Sequence, residues 1–420
     1  MVNESAERPR LNVIIVGAGL CGLTCGAALR ESANVTILES APALGEIGAA
    51  VHLAPNAHRI LKALGAELMK KGAMPCKNVH EWNAKDNRLV IDASFDPLEE
   101  AGCEWALCHR VDLQQELMRL ATTPDGPGTP CQVLLGSPVI ACDPSTATVT
   151  TQSGKTYQAD VVIGADGLKS VIRAQVVGDK FRSQPSGHSA YRALVPAHKV
   201  ESVSKLAAIG LLDNRITVVN GGDRRIIAYP TRDKTLLNLV CPLPDSELAE
   251  ISEEKWSARG NPLALVKSYS TFDPMWQDLL SQIEECGLWQ LRDQEPLDQW
   301  VNGRTIIIGD AAHSMLPHQG QGASQAIEDA EAVQAYLSNA AADDVHEALE
   351  KIYKVRIKRA TYIQQISRGS GLGNMRKVYR AKLGQVEEDD APLNPGQYRD
   401  FSWNYFGALD WEKTHPEWVM

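Results

Sequence analysis

The sequence predicts an α/β protein: a nucleotide-binding domain split along the chain, an inserted and mainly antiparallel β-domain, and a C-terminal helical region. Three features of the 420 residues predict it. The apolar run LNVIIV, Leu11 to Val16, leads into the glycine turn GAGLCG at Gly17 to Gly22. Roughly 290 residues later a second apolar run, Thr305 to Ile308, leads into GDAAHSMLPHQGQGASQAIEDAEAV, Gly309 to Val333. Between them, from about Phe181 to Leu288, the pattern changes to alternating strands such as RITVVN, RRIIAYP and LLNLVCPL.

Each element follows from local chemistry. Leu11 to Val16 reads as a buried parallel strand, and GAGLCG turns it into a helix running to about Arg30. Gly17 permits the tight turn, Gly19 lets backbone approach a pyrophosphate, and Gly22 lets the helix pack closely on the strand. The helix N-terminus then faces the phosphate charge. The strand Asn34 to Leu38 delivers Glu39, whose carboxylate can accept both ribose hydroxyls of an adenosine and would repel a 2′-phosphate, favouring FAD or NAD over NADP. Pro55 starts and Gly65 ends a helix with Ala57, Ile60, Leu61 and Leu64 on one face. Val79 to Ile91 reads as a strand pair outside the nucleotide fold, with Asp86 and Asn87 at its turn. His109 to Ala121 is predicted helical with Asp112 as its cap, and Thr122 to Pro130 a surface loop.

Strands near Val133 to Leu135 and Thr148 to Thr151 lead to a buried strand ending at Asp166 and Gly167. Helices follow from about Ala323 to Leu337 and from His346 to Arg368; the Lys351, Lys354, Arg356, Lys358 and Arg359 of the second read as a solvated face. The tail from Gly371, with Trp403, Trp411 and Trp418, carries no motif. The nucleotide domain is thus assigned to residues 1–78, 105–180 and 289–345, the β-domain to 79–104 and 181–288, and the C-terminal helix and tail to 346–420.

Composition narrows the setting. With 42 basic and 52 acidic residues the net charge is −10, which argues against a nucleic-acid partner. The nine cysteines are scattered without a CxxC pair, so a reducing, cytoplasmic location is expected and a metal site is not. The polar N-terminus MVNESAERPR lacks an apolar signal core, and no membrane anchor is expected. A monomer or homodimer is equally compatible with these properties.

The second motif decides the cofactor. Asp310 at a strand end, followed by Gly320, Gln321 and Gly322 opening a helix, makes a further polar surface in the same domain. An isoalloxazine on a ribityl chain needs one: Asp310 can accept from ribityl hydroxyls, and the N–H groups of Gly322 and Ala323 can stabilise negative charge on a reduced flavin. The pair of motifs therefore points to FAD. His313 reads as a packing or locally hydrogen-bonded residue.

GAGLCG with Gly26 and Glu39, ADG with Ser170 and Arg173, and GDAAH with PHQGQG together resemble the signatures of the single-component FAD-dependent aromatic hydroxylases. EIGAAVHLAPNA, AYRALVPA and MLPHQGQGASQAIEDA resemble the salicylate hydroxylase-like branch, fungal enzymes included. The resemblance implies a split Rossmann-like FAD domain and a substrate domain of mixed sheet, with the ring site between them. It implies that Gly17, Gly19, Leu20, Gly22 and Glu39 hold the ADP half of tightly bound FAD. Arg110 would reach the pyrophosphate or ribityl region, and Asp310, Gly322 and Ala323 would hold the flavin half. Asp166, with Gly167 and Arg173, would serve cofactor binding and transient NAD(P)H docking. Bacterial relatives commonly carry glycine where Ala50 stands, which narrows the space beside the ring.

The reaction implied by the resemblance uses NAD(P)H and O2 to hydroxylate a small aromatic substrate through a flavin C4a-hydroperoxide. A phenol attacks better when ionised, and its ordinary pKa is about 10, so a cation or donor near its oxygen is required. Arg192 in AYRALVP is the first candidate, able to bind a carboxylate or steady a phenolate; a surface salt bridge is its plainer reading. Tyr229 in IIAYP is a candidate donor to substrate, or a core tyrosine. The resemblance places His52 near the flavin, for proton relay or substrate contact, with a core histidine as its plainer reading; it places Pro317 and His318 beside the ring, Pro317 as the residue that shapes the oxygen pocket. Salicylate-like acids, fungal phenolic or polyketide metabolites and indoles all remain open as substrates. A flavin redox sensor without oxygenation is the rival from another class, and an NAD-dependent dehydrogenase would leave Asp310 to Gly322 without a role.

Overall fold

A computed structural model describes residues 9–45, 50–178, 181–248, 258–370 and 395–420. A six-stranded sheet forms the nucleotide-binding core in the order Val301–Asn302, Thr305–Ile307, Val161–Gly164, Leu11–Val16, Ala33–Leu38, Gln132–Leu134. All neighbours are parallel except Val301–Asn302, which runs antiparallel to Thr305–Ile307. The three central strands are nearly continuous Val and Ile because helices cover both faces, leaving no side that must be polar. Helix Leu20–Leu29 and helix Gly322–Leu337 pack against each other, which brings the two distant motifs into one layer.

The second sheet has eight strands, in the order Ala258–Gly260, Cys286–Asp293, Gln184–Pro196, Leu236–Pro244, Arg225–Thr231, Arg215–Asn220, Asn78–Asn83, Leu89–Ser94. It is mixed, since Arg215–Asn220 runs parallel to Asn78–Asn83. The residues 78–94 therefore join a sheet formed mostly some hundred residues later. One face packs Leu237, Leu239, Tyr191 and Leu243 against helices Pro262–Ser268 and Pro274–Ser281. The other carries Arg192, Asn238, Val240 and Tyr229 toward the nucleotide domain, as the registers Arg192↔Val240 and Tyr229↔Asn238 require. Among the described residues the outermost strand Leu89–Ser94 pairs on one side only, and its register jumps between Glu81 opposite Ile91 and Trp82 opposite Leu89.

A small sheet, Ala50–Leu53, Ala106–His109 and Met74–Pro75, joins the two layers. Its hydrophobic cluster includes Ala50, Leu107, Ile216 and Tyr229, so it belongs to both. Among the described residues no helix is long and apolar enough to cross a membrane.

Two sequence expectations are corrected. Asp112 does not cap the helix Arg110–Thr122, whose N-cap position is His109; its carboxylate instead accepts from Arg232 Nε at 2.7 Å. Arg232 lies on the hairpin tip joining Arg225–Thr231 to Leu236–Pro244, so the acid ties the second sheet to the nucleotide domain. The basic helix, Val345–Gly369, is not uniformly solvated: Lys351, Lys354 and Lys358 are exposed, but Arg356 and Arg359 are fully buried.

Candidate active site

The first turn is built by sterics. Gly17 has φ +105°, and a Cβ there would lie 2.4 Å from the carbonyl oxygen of Ala165, the residue that follows the neighbouring strand Val161–Gly164. At Gly22 a Cβ would lie 1.9 Å from the Gly17 oxygen, so the helix can approach its own turn only without a side chain. Gly19 differs: nothing lies within 4 Å of its Cβ direction, and this open side is where a ligand's phosphates have room. Glu39 accepts from the Ala18 N–H at 2.7 Å and from the Ala41 N–H at 2.8 Å, so the carboxylate also shapes the turn. Oε1 also accepts from Ser40 Oγ at 3.0 Å, which leaves Oε2 with the greater acceptor capacity for a ribose hydroxyl. Gln114, on the Arg110–Thr122 helix, donates to the Ala18 carbonyl at 3.2 Å, placing the Arg110 end of that helix beside the turn.

The second motif meets the first directly. A Cβ on Gly309, at φ +61°, would sit 2.9 Å from Cys21 Sγ and 3.4 Å from Ala326 Cβ. The exposed Asp310 thus stands next to the GAGLCG helix, not in a cavity of its own. Arg173 is buried and donates to the carbonyls of Ala311 at 3.1 Å and Asp310 at 3.4 Å, tying the ADG segment to this turn. Asp166 is the anchor of helix Val171–Val177: its carboxylate accepts from Ser170 Oγ at 2.5 Å and the N–H groups of Val171 at 2.7 Å and Ile172 at 3.1 Å. Those bonds direct the carboxylate to the chain, where it fixes the turn at Gly167 and the start of the helix. Gly322 and Ala323 open the helix half-buried, with only Met315 Cγ, at 3.8 Å, near the Gly322 Cβ direction. Open space at Gly19 and an uncrowded backbone at Gly322, flanking a turn that carries an exposed carboxylate, fit an extended dinucleotide with a flavin end.

The ring side is assembled by the second sheet. Tyr229 is 3% exposed, and burial raises its phenol well above the usual value, partly offset by the charge of Arg192. Its ring lies 6.2 Å from that of His52, and Arg192 lies 5.3 Å from the Trp289 ring centroid. His52 Nδ1 accepts from Trp105 Nε1 at 3.1 Å, which leaves the ring proton on Nε2. A Cβ on Gly320, φ +61°, would lie 1.9 Å from that Nε2, so Gly320 lets the Pro317–Gln319 turn close over His52. Pro317 itself is exposed on that turn, while Leu316 is buried against Ala190 and Val240 of the sheet. Arg192, Tyr229, His52 and the Pro317 turn are therefore neighbours across one interlayer space. The preceding Glu46 to Ala49 lie outside the described residues.

Sequence reasoning missed Asn238, which is fully buried and accepts the Ala50 N–H at 3.0 Å. It locks the second sheet onto the strand that bears His52; a lone amide in the apolar LLNLVCPL strand was its signal. Asn56, Glu328 and Asp329 were missed as well: Asn56 donates to Glu328 at 2.6 Å, and Asp329 accepts from the Gly309 N–H at 2.8 Å and from His313 Nε2 at 2.6 Å. His313 is thus a locally bonded residue.

A separate cavity of about 510 Å³ adjoins the ADG segment. Lys169, Arg173, Arg182 and Arg292 line it, with no acidic residue among the described lining.

Two histidines of the site are neutral near pH 7. Burial lowers His52 to about 4, and burial together with Arg225 and His188 lowers His318 to about 4. Their unfolded value is about 6.5, so between the two values the unfolded chain binds more protons and stability falls as pH falls. Thermal melts from pH 7 to 4.5 should show a steep loss of Tm in that window, and a shallower one in the double variant His52→Gln, His318→Gln. Equal slopes in both proteins would contradict this.

Comparison with known proteins agrees with this geometry. The family model for the FAD binding domain matches residues 10–368. The FAD-dependent monooxygenase cfoG of Aspergillus candidus is 34% identical, covering 86% of this chain and 85% of its own. Hispidin-3-hydroxylase of Neonothopanus nambi is 32% identical over 84% of this chain and 86% of its own. The structure of a salicylate hydroxylase substrate complex superposes with a TM-score of 0.75 at 28% identity, covering 96% of this chain and 97% of that one. The chain belongs to the FAD binding domain family and, within it, to the FAD-dependent aromatic monooxygenases related to salicylate hydroxylase and to fungal FAD monooxygenases.

Proposed function

We propose that this monooxygenase hydroxylates a small phenolic aromatic, held by Arg192 and Tyr229 in the space between the eight-stranded sheet and the His52 strand. The observation that carries the reading is the meeting of a guanidinium, a phenol held protonated by burial and a neutral imidazole on one largely apolar wall. Such a wall receives a ring, and the Arg192 cation matches a phenolate or carboxylate substituent. The names of two relatives, hispidin-3-hydroxylase and salicylate hydroxylase, support this substrate class.

FAD supplies the transfer of one oxygen atom from O2 to the ring, with NAD(P)H as electron donor and water as the other product. In this reading Gly17, Gly19, Leu20 and Gly22 accommodate the pyrophosphate, Glu39 the adenosine ribose, and Arg110 the middle of the molecule. Asp310, Gly322 and Ala323 take the ribityl chain and the polar edge of the ring. Arg192 lowers the cost of ionising a substrate hydroxyl, and Tyr229 donates to it. His52 holds its proton on Nε2 and acts as a donor rather than a cation. Pro317 and Leu316 keep the oxygen-transfer space dry. The cavity beside Lys169 and Arg292 suits the phosphates of transiently bound NAD(P)H.

A panel of salicylates, resorcinol aldehydes and indoles, scored by NAD(P)H oxidation together with product mass, tests the reading. A phenolic member is expected to accelerate oxidation and yield a product that has gained one oxygen atom. Acceleration by indoles alone would move the substrate class, and no acceleration by any aromatic would favour a flavin redox sensor.

A further inference from the structure

The tail without a sequence motif is tied to the most buried charges in the protein. Glu328, Asp329, Arg356 and Arg359 are all 0% exposed. Arg359 grips Glu328 with two parallel bonds, Nε to Oε2 and Nη2 to Oε1, both 2.8 Å. Arg356 also donates to Glu328, and reaches Asp329 Oδ1 through its Nε at 2.8 Å. A buried arginine needs its remaining donors satisfied and its charge offset, or the pair is destabilising.

The described tail, residues 395–420, meets that need. The carbonyls of Phe401 and Ser402 accept from Arg359 at 2.8 and 3.0 Å. The rings of Phe401, Tyr405 and Trp411 stand around its guanidinium at 4.9, 4.9 and 4.6 Å from their centroids. Tyr405 also donates to Glu331 at 2.9 Å, on the same helix as the two acids.

On its other side the quartet faces the cofactor site. Glu328 takes the Asn56 amide, and Asp329 takes the Gly309 N–H and His313. Gly309 is left-handed, so the direction in which the next residue presents its carboxylate depends on that tie.

We propose that residues 395–420 form a working part of the flavin site: they fix Arg359 on Glu328, Arg356 links Glu328 to Asp329, and Asp329 holds the Gly309 N–H at the head of the Gly309–Asp310 turn, so that the tail governs how tightly FAD is retained. These are positioning residues, and the proposal rests on reading Asp310 as a flavin contact.

The test follows flavin release by its fluorescence and unfolding by far-UV circular dichroism in one melt of the holoenzyme. In the wild type the two transitions should coincide. In Trp411→Leu and Arg359→Lys, flavin should leave well below the unfolding transition, with release at 25 °C at least about tenfold faster. Transitions that fall together, or do not move, would overturn the proposal, since a purely structural tail lowers both equally. Should Trp411→Leu fail to fold, Arg359→Lys carries the test, because it keeps the cation while losing the fork. Asp310→Ala serves as the separate control: wild-type retention there would refute the flavin reading of Asp310, whatever the tail variants show.

Discussion

Alanine at position 192 is expected to lower kcat/KM for a phenolic substrate by about 10²–10³-fold while leaving the protein yellow and folded. The size follows from the role proposed for Arg192: one charge-assisted contact, in a site of low polarity, that is stronger for the ionised than for the neutral hydroxyl. A lysine should recover part of the loss, since it restores the charge without the planar fork. The deficit should also shrink as pH rises toward the substrate's own pKa, because solution then supplies the ionised form. FAD content is expected to hold because Arg192 sits on the eight-stranded sheet and not on either glycine turn. Stopped NAD(P)H oxidation and product mass together provide the check; unaltered turnover for every phenolic would take Arg192 out of the site.

Gly17→Ala and Gly19→Ala should separate folding from cofactor binding. At Gly17 the new methyl meets a backbone oxygen at 2.4 Å and the φ of +105° is hostile to any side chain. A destabilisation on the order of 3 kcal/mol, with almost no bound FAD, is expected. At Gly19 the methyl meets nothing within 4 Å, so the apoprotein should melt like the wild type. Its flavin affinity should nonetheless fall at least about tenfold, because the methyl occupies the side from which a pyrophosphate approaches. Melting of the deflavinated proteins, alongside flavin absorbance after gel filtration, distinguishes the two. A Gly19→Ala protein that keeps its full FAD would show that the open side is not the phosphate seat.

The reach of the sequence is clear from particular residues. The strand Leu11–Val16, the helix from Leu20 and the helix Pro55–Ala63 were legible because each is written locally, in an apolar run, a glycine or a proline. So was the meeting of Gly17 to Gly22 with Gly309 to Gly322, since two halves of one cofactor demand it. Asp112 misled because an acid in a first helical turn has the same pattern whether it bonds its own helix or an arginine 120 residues away. Arg356 and Arg359 misled because a run of five basic residues within nine positions of one helix, Lys351 to Arg359, gives no sign of which ones face inward. That depended on Glu328 and Asp329, and on aromatic residues in a tail that has no periodicity. Asn238 was hidden for the same reason: its partner is a backbone N–H 188 residues earlier.

The rim of the large sheet has a consequence for handling the protein at high concentration. Leu89, Val90 and Ile91 are all exposed there, at 37%, 52% and 44%, on a strand whose outer edge pairs with none of the described residues. Val90 is the supernumerary residue between the pairs Trp82 with Leu89 and Glu81 with Ile91, so the free row of amides is broken and bent at its greasiest point. A ribbon from another molecule that tried to extend the pleat would find its donors and acceptors out of step, which makes this border a poor template for fibrils despite its three bare aliphatic side chains.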